Sequence, residues 1–276
     1  MKLLNVSRRI LVTVSLLLAA SSAFAQQQAT KPFEPQVGQA GKDVVWVPTP
    51  QELVDTMLNL TQVTPQDTVY DLGSGDGRTV ITAAKRGARA FGIEYNPDMV
   101  ELSQRNAKAA GVSDRATFMK ADLFETDFSK ATVITMFLLP SINMQLRPKI
   151  LDMKPGTRVA SNTFTMEDWE PDQKVTLDPC DRWCTALFWI VPAKVEGTWR
   201  SAQGDLTLSQ KFQVVTGTLG AGNTQVFVTN GKLRGDEITF TAGSGQYTGR
   251  VNGNRIAGTV VAGGRTSSWE ATRSGQ

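Results

Sequence analysis

The stretch that decides the fold of this chain is Val69-Tyr-Asp-Leu-Gly-Ser-Gly-Asp-Gly-Arg78. Apolar and aromatic residues flank Asp71, glycines occupy positions 73, 75 and 77, and a helical pattern follows. This order predicts a strand that runs through a tight glycine-rich turn into the N-terminus of a helix. A ligand can approach bare backbone N–H groups at such a turn, at the positive end of the helix. The stretch therefore predicts a site for a nucleotide-type cofactor.

The spacing of the glycines separates the possible cofactor classes. A dinucleotide fingerprint has the order Gly-x-Gly-x-x-Gly, and its third glycine, counted from Gly73, would fall at Arg78. The order found, acid-x-Gly-x-Gly-x-Gly, resembles the first motif of Rossmann-fold methyltransferases that use S-adenosylmethionine. The resemblance implies S-adenosylmethionine as the cofactor. The residues that would hold it in this loop are Asp71, Gly73, Ser74, Gly75 and Asp76.

Two further acids follow apolar strand patterns in the expected order. Glu94 ends the next predicted strand, 23 residues after Asp71. A carboxylate about 20 residues on, at the end of a strand, can accept hydrogen bonds from ribose hydroxyls. Asp122 follows the third predicted strand, where methyltransferases of this kind usually hold the adenine amino group. The predicted cofactor contacts in this part of the chain are Glu94, Tyr95, Asp122 and Leu123.

Strand and helix patterns alternate through the first half of the chain, which predicts a parallel sheet with right-handed crossovers. A first helix is expected with Thr49 as N-cap, Pro50 at the first helical position and Glu52 closing a capping box. Strands are predicted at Thr68–Leu72, Arg89–Glu94, Ala116–Lys120, Val133–Phe137 and Thr157–Asn162, and helices near Gly77–Arg86, Asn96–Ala110 and Ser141–Met153.

Two later strands, Gln173–Leu177 and Thr185–Val191, are joined by a connection too short for a parallel crossover, so we expect an antiparallel hairpin. Cys180 and Cys184 lie in this connection. Because they flank a short loop between paired strands, we predict a disulfide in an oxidising compartment.

From Lys194 onward, apolar runs shorten, glycine and threonine become frequent, and helical periodicity stops. The stretches Leu233–Ile238 and Val251–Ile256 repeat the pattern apolar-x-Gly-x-x-Ile, and each places a two-residue turn between strand-like runs. We predict about eight short antiparallel strands in a small barrel or sandwich, with Trp199 and Trp269 in its core. The fold class is therefore α/β: a Rossmann-like methyltransferase sheet, parallel with a terminal antiparallel hairpin, followed by an all-β domain.

The first residues have the pattern of a targeting segment. A positive start with Lys2, Arg8 and Arg9 precedes an apolar run and an Ala23-Phe-Ala25 site. We expect a signal peptide over 1–25, a flexible linker over 26–43, a methyltransferase domain over 44–193 and the all-β domain over 194–276. The protein is then expected to be exported, in the periplasm, with no transmembrane span after cleavage; a retained membrane anchor is the alternative.

Composition excludes several classes of function. The net charge is +3 and no Lys/Arg run occurs, so there is no nucleic-acid footprint. The chain has no histidine and only two cysteines, which removes the commonest metal ligand and a four-cysteine zinc site. We therefore predict no metal site.

Several short motifs lie between Val47 and Asp172. They are Val47-Pro-Thr-Pro50, Asp71–Arg78, Gly92-Ile-Glu94, Leu138-Leu-Pro140 with Asn143, Leu146-Arg-Pro148, Lys154–Val159 and Trp169-Glu-Pro-Asp172. With these motifs the chain resembles a narrower family, which contains the lysine methyltransferase of the mitochondrial ATP synthase c subunit and many bacterial relatives. The resemblance implies, besides the cofactor, methylation of a lysine amine.

Methyl transfer from a sulfonium requires alignment of the nucleophile and exclusion of water, so no histidine base is required and no catalytic base is assigned. Substrate groups are expected beside the cofactor, at the ends of the fourth and fifth strands. The candidates for the substrate pocket are Phe137, Leu138, Pro140, Asn143, Asn162 and Phe164.

Two other functions are compatible with the sequence. One is an exported protein that binds an envelope component through the β domain, with a degenerate methyltransferase fold; the intact acids at 71, 94 and 122 argue against it. The other is a methyltransferase that acts on a small molecule. The methyl acceptor is in either enzymatic case a protein or small molecule of the cell envelope.

Overall fold

A computed structural model describes residues 32–220 and 224–274 of the chain. The expected signal peptide and the first residues of the expected linker lie outside the described residues. Within the described ranges, no helix has the length and apolar character needed to cross a membrane.

The first half of the chain forms a seven-stranded sheet with the order β3-β2-β1-β4-β5-β7-β6. Strands β1 to β5 pair in parallel, and β7 pairs antiparallel with both β5 and β6. The central strands are buried along nearly their whole length, as expected when helices cover both faces of a parallel sheet. The predicted fold is thus confirmed. The strands are β1 Thr68–Leu72, β2 Arg89–Glu94, β3 Ala116–Lys120, β4 Val133–Met136, β5 Arg158–Asn162, β6 Gln173–Thr176 and β7 Thr185–Ile190.

Four helices accompany this sheet in the described residues: α1 Gln51–Leu60, α2 Arg78–Lys85, α3 Pro97–Ala109 and α4 Pro140–Leu151. The start of α3 is as predicted, because Asn96 Oδ1 accepts a hydrogen bond from the Asp98 backbone N–H at 2.9 Å.

The predicted cap of α1 is wrong. The N-cap of α1 is Pro50, and no side chain caps the helix. Thr49 Oγ1 instead accepts a hydrogen bond from Asn162 Nδ2 at 3.2 Å. Asn162 lies at the end of β5, so a long-range contact between the sheet and the segment before α1 takes the place of the local capping interaction.

The second half of the chain forms a closed barrel of eight antiparallel strands, which confirms a barrel rather than a sandwich. Closure pairs the last strand with the first, with Thr272 opposite Arg200 and Arg273 opposite Trp199. The strands are β8 Gly197–Ser201, β9 Gly204–Lys211, β10 Val214–Gly220, β11 Val226–Arg234, β12 Glu237–Ala242, β13 Gly245–Asn252, β14 Arg255–Ala262 and β15 Arg265–Arg273.

Large side chains fill the barrel interior. Trp199 and Trp269 are both buried there, as predicted. The turn glycines of the two sequence repeats, Gly235 and Gly253, have φ values of 63° and 57°. These are left-handed conformations that the hairpin turns require and that glycine adopts without strain.

The barrel packs on the sheet through the turn between β9 and β10. The Phe212 ring of this turn stacks on Trp169 with 5.9 Å between centroids, and the Arg147 guanidinium lies 5.2 Å from the Phe212 ring. Gln213 Nε2 donates to the Glu170 carbonyl at 2.8 Å. Residues on the two sides of the expected boundary at 193/194 are therefore joined by both apolar and polar contacts.

Candidate cofactor and acceptor site

A cavity opens at the carboxyl ends of β1, β2 and β4 and encloses about 1060 Å³, its open mouth included. All the residues that the sequence assigned to the cofactor line it, and two of the predicted substrate residues join them. The lining residues that the sequence predicted are Asp71, Gly73, Ser74, Gly75, Asp76, Glu94, Tyr95, Asp122, Leu123, Phe137 and Leu138.

The glycine loop is held in a tight turn against the neighbouring strand. The backbone N–H groups of Gly73 and Ser74 both donate to the Ile93 carbonyl, at 2.9 and 3.0 Å. Gly75 has a φ of 53°, and a Cβ atom there would lie 2.7 Å from Trp46 Nε1. Only glycine allows Trp46 to approach the loop this closely.

Asp71 is the most deeply buried acid of the cavity, with 6% of its surface exposed. Its Oδ1 accepts a hydrogen bond from Thr135 Oγ1 at 2.6 Å. Burial raises the pKa of Asp71 to about 7; the hydrogen bond from Thr135 opposes this rise, and the nearby charges of Asp76 and Glu94 add to it. The site therefore contains a carboxyl group whose charge a cationic ligand would stabilise.

Glu94 joins the glycine loop to the next helix. Its Oε2 accepts from the Gly75 backbone N–H at 3.0 Å, and its Oε1 accepts from the Asn96 backbone N–H at 2.9 Å. One carboxylate thus fixes two backbone segments at the cavity edge. Ser74 Oγ, also in the cavity wall, is buried with no hydrogen-bond partner in the described part of the chain.

Asp122 lies at the far side of the cavity. Its Oδ1 accepts from the Phe124 backbone N–H at 2.9 Å, and its Oδ2 pairs with Lys42 Nζ at 2.9 Å. These two contacts, the Phe124 hydrogen bond first, hold the pKa of Asp122 below its ordinary value. Hydrogen bonds to Asp122 and Asp43 raise the pKa of Lys42.

The segment before α1 forms part of the cavity wall, which the sequence did not predict. Gly38 N–H donates to the Trp46 carbonyl at 2.8 Å, and Ala40 and Val45 form an antiparallel bridge. Residues 39–49 line the cavity. A flexible linker over 26–43 does not account for these contacts. The only sequence signal is the apolar run that begins at Val44.

Only some of the predicted substrate residues line the cavity. Phe137 and Leu138 line the cavity, and the Phe164 ring stacks on Phe137 with 5.8 Å between centroids. Pro140 is exposed at the first turn of α4 and does not line the cavity.

Asn143 and Asn162 are fully buried and support the backbone. Asn143 Nδ2 donates to the carbonyls of Phe164 and Thr165, at 3.2 and 3.1 Å. Asn162 holds Thr49, as described above. These two side chains therefore act behind the cavity rather than in its wall.

Sequence reasoning missed Trp183, which contacts the predicted substrate residue Phe137. Its ring meets the edge of the Phe137 ring with 6.0 Å between centroids and an interplanar angle of 62°. Trp183 lies in the loop closed by the predicted disulfide, which the structure forms between Cys180 and Cys184, with their Cα atoms 6.0 Å apart. The position of a large aromatic residue between two cysteines was the available signal.

No group of three or more His, Cys, Asp or Glu side chains within residues 32–220 and 224–274 is arranged to hold a metal ion. The cavity instead offers backbone N–H groups, carboxylates and apolar rings. This combination suits a ligand that carries a sugar, an aromatic base and a positive charge.

Comparison with known proteins agrees with this geometry. The model of the ANTKMT methyltransferase domain family matches residues 71–173, a range that ends before the barrel. A protein-lysine N-methyltransferase of Saccharolobus islandicus is 40% identical over 151 residues, which cover 54% of this chain and 94% of that protein. The mouse lysine N-methyltransferase of the ATP synthase c subunit is 40% identical over 105 residues, but only 42% of its length is spanned.

A solved structure of similar fold is that of an RNA methyltransferase from Salinibacter ruber in complex with S-adenosyl-L-homocysteine. It is 48% identical in sequence, with a TM-score of 0.51, and the match covers 54% of this chain and 96% of that one.

Proposed function

This chain belongs to the class I S-adenosylmethionine-dependent methyltransferases, and from that premise we propose that it methylates lysine side chains of envelope proteins. The observation that carries the proposal is the similarity to a protein-lysine N-methyltransferase across 94% of that protein's length. The acceptor side of the cavity is chemically suited to a lysine, since apolar and aromatic residues form it.

The residues of the cavity fit S-adenosylmethionine. We assign the methionine end to the glycine loop and Asp71, the ribose to Glu94 and the adenine to Asp122, with Tyr95 and Leu123 beside it. Two features of the fold support the assignment: the buried Ser74 Oγ lacks a partner among the described residues, and Asp71 is a buried carboxyl with a raised pKa. When bound, S-adenosylmethionine would supply a sulfonium methyl group, which a neutral amine can accept as the S–C bond breaks and S-adenosylhomocysteine leaves.

The chain's own residues contribute binding, alignment and exclusion of water. A lysine amine has an unperturbed pKa of about 10.4 and must lose its proton before it can act as a nucleophile. Burial against Phe137 and Leu138 in the cavity wall disfavours the charged ammonium and so lowers that pKa. The same side chains hold the aliphatic part of the lysine in line with the methyl group. No side chain is assigned as a base.

A second candidate acceptor is RNA, because the similar solved structure is called an RNA methyltransferase. The net charge of +3 and the lack of a Lys/Arg run in the sequence weigh against it. The test is to titrate the purified protein with S-adenosylmethionine by calorimetry. It is then incubated with methyl-labelled cofactor and either envelope proteins or total RNA. Label in lysine residues, located by mass spectrometry, supports the proposal, and label in RNA alone overturns it.

Export is the other part of the proposal, and the positive start, apolar run and Ala23-Phe-Ala25 site support it. We favour a general secretory signal. A twin-arginine signal, to which Arg8 and Arg9 are a partial match, would carry the protein already folded and loaded with cofactor. Replacing both arginines by lysine keeps the charge, so unchanged export supports the general route and cytoplasmic precursor supports the twin-arginine route. Absence of mature protein outside the cytoplasm in the unchanged chain overturns export itself.

A further inference from the structure

Three aromatic rings meet at the acceptor side of the cavity, and one of them belongs to the disulfide loop. We propose that Trp183 completes, with Phe137 and Phe164, a site that binds the side chain of the acceptor lysine through its ammonium or methylammonium group. The inference deepens the proposed lysine methylation and rests on it. It assigns a role in acceptor recognition to the Cys180–Cys184 loop.

The cluster continues outward from the cavity. Phe137 lines the cavity, and its ring contacts Phe164 on one side and Trp183 on another, at 5.8 and 6.0 Å between centroids. Trp183 is 37% exposed, so part of its ring faces the solvent. A side chain that enters from solvent would therefore pass Trp183 before it reaches the methyl donor.

A different part of the fold positions each of the three rings. Phe137 follows β4 directly, whereas the Phe164 carbonyl accepts hydrogen bonds from Asn143 Nδ2 and Ser161 Oγ, at 3.2 and 2.7 Å. Trp183 has a φ of 54°, a conformation that bulky residues rarely adopt, inside a loop closed by the disulfide. Such a conformation persists where the surroundings impose it, and it is common at ligand sites.

The geometry favours an alkyl cation over a planar base. Phe137 and Phe164 already stack on each other, with 18° between their planes, so there is no slot between them for a nucleobase. Trp183 stands at 62° to Phe137, which forms a corner rather than a parallel platform. Corners of aromatic rings bind ammonium and methylammonium groups through the negative faces of the rings.

The chemistry also suits successive methylation. Aromatic faces bind the methylene stem of lysine through apolar contact and its charged end through cation–π attraction. The attraction does not depend on N–H groups, so it persists as methyl groups replace hydrogens. The loop at residues 177–184 carries two aspartates and one arginine, a net negative charge that also favours a cationic acceptor.

The test uses the full protein and a defined probe, Nα-acetyl-trimethyl-lysine amide, in the presence of S-adenosylhomocysteine. Binding is followed by the NMR signal of each probe's own terminal methyl protons, those of the trimethylammonium group or of the norleucine methyl group, so the readout is the same for every variant. Nα-acetyl-norleucine amide, which has the stem without the charge, is the matched neutral probe. The variants are Trp183→Ala, Trp183→Phe and the control Phe227→Ala, which removes a ring that is 79% exposed on the barrel.

We expect Trp183→Ala to weaken binding of the charged probe by about two- to thirtyfold, the range of a cation–π contact. Trp183→Phe should retain most of the binding, and Phe227→Ala should bind like the unchanged protein. Calorimetry should give the same affinity for S-adenosylhomocysteine in all of them, which shows that the fold and the cofactor cavity are intact. Replacing both Cys180 and Cys184 by serine should weaken binding in the same direction as Trp183→Ala.

The inference is overturned if the unchanged protein does not prefer the charged probe, or if Trp183→Ala binds it equally well. Its failure is distinguishable from that of the proposed function. Lysine methylation with a KM for the acceptor that Trp183→Ala leaves unchanged would overturn the aromatic site alone. The opposite failure is also recognisable: the charged probe binds and Trp183→Ala weakens that binding, but the methyl label is found only in RNA. That result would overturn lysine methylation, and the aromatic site would then not serve to bind an acceptor lysine.

Discussion

Lys42 Nζ lies 2.9 Å from Asp122 Oδ2, so the segment before the first helix is ion-paired to the end of the third strand. The same ammonium lies 5.3 Å from the centre of the Tyr95 ring and 5.7 Å from that of Phe124. Lys42 thus contacts both the acid and the ring to which we assign the adenine. On that assignment, we expect the cofactor and Lys42 to compete for Asp122.

The first prediction follows from this competition. Lys42→Met should bind S-adenosylmethionine more tightly and faster than the unchanged protein, because no ion pair has to be displaced. Added salt screens exposed charges, so rising ionic strength should tighten binding in the unchanged protein and have little effect on the variant. Calorimetry and stopped-flow fluorescence at several salt concentrations measure both. Lys42→Arg, which keeps the charge, is the control, and weaker binding by Lys42→Met would show that Lys42 closes over the cofactor instead.

The second prediction concerns Glu94, whose carboxylate accepts hydrogen bonds from the Gly75 and Asn96 backbone N–H groups. Glu94→Ala should weaken cofactor binding about ten- to a hundredfold, the effect of losing a charge-assisted hydrogen bond of about 1.5–3 kcal/mol. Glu94→Gln should fall between, because its amide oxygen can still accept one backbone hydrogen bond. Calorimetric titration decides, and an unchanged affinity in Glu94→Ala would reject the assignment of the ribose.

The third prediction concerns pH and Asp71. Burial raises the pKa of this carboxyl from 3.8 to about 7 in the folded chain. The folded state then holds a proton that the unfolded state has released, so this group's contribution to stability is full below pH 3.8 and is lost as the pH rises to about 7.

Asp71→Asn should remove that dependence while keeping an oxygen that can accept the Thr135 hydrogen bond. We expect the variant to gain stability over the unchanged protein progressively across this window and to keep a constant advantage above it. Urea unfolding without cofactor, repeated from about pH 4 to about pH 8, measures this. If the free energy of unfolding changed with pH in the same way in Asp71→Asn and in the unchanged protein, the raised pKa of Asp71 would be contradicted.

The strands and the glycine loop could be predicted because their signals are local. β1, β2 and β3 begin and end at the predicted residues, since apolar runs, glycines and acids adjoin one another in the sequence. The antiparallel strands of the all-β domain followed in the same way from their repeated two-residue turns, whereas the choice between barrel and sandwich required the structure.

What the sequence did not predict depends on distant partners. The predicted Thr49 cap was wrong because the Thr49 hydroxyl accepts a hydrogen bond from Asn162, a residue 113 positions away in the sequence. Likewise, Lys42 contacts Asp122 and Trp183 contacts Phe137 only in the folded chain. Neither pair is marked by periodicity or by short spacing in the sequence, so these contacts could be identified only from the structure.

The fourth prediction concerns the junction between sheet and barrel. Phe212 contacts Trp169 and Arg147, and this half-buried residue of the barrel packs against the hydrophobic core of the sheet. Phe212→Ala should cost about 1–3 kcal/mol, less than the 3–5 kcal/mol of a fully buried phenylalanine. Scanning calorimetry should show one transition in the unchanged protein and a lower, broader or divided one in Phe212→Ala. The exposed Phe227→Ala is the control.

That the barrel from Lys194 folds alone stays a prediction, and the amide NMR spectrum of that fragment tests it.

The last prediction concerns the disulfide that closes the Cys180–Cys184 loop. Because the structure pairs Cys180 with Cys184, thiol titration of the unfolded, unreduced protein should find no free thiol. The closed loop is short, so on the chain-entropy account the bond stabilises the fold by only about 2 kcal/mol. Replacing both cysteines by serine should therefore lower the urea midpoint slightly and leave the affinity for S-adenosylmethionine unchanged, since neither cysteine lines the cofactor cavity. Two free thiols in the protein as isolated would show that the loop is open. Loss of cofactor binding in the serine variant would show instead that the loop supports the whole cavity rather than its acceptor side.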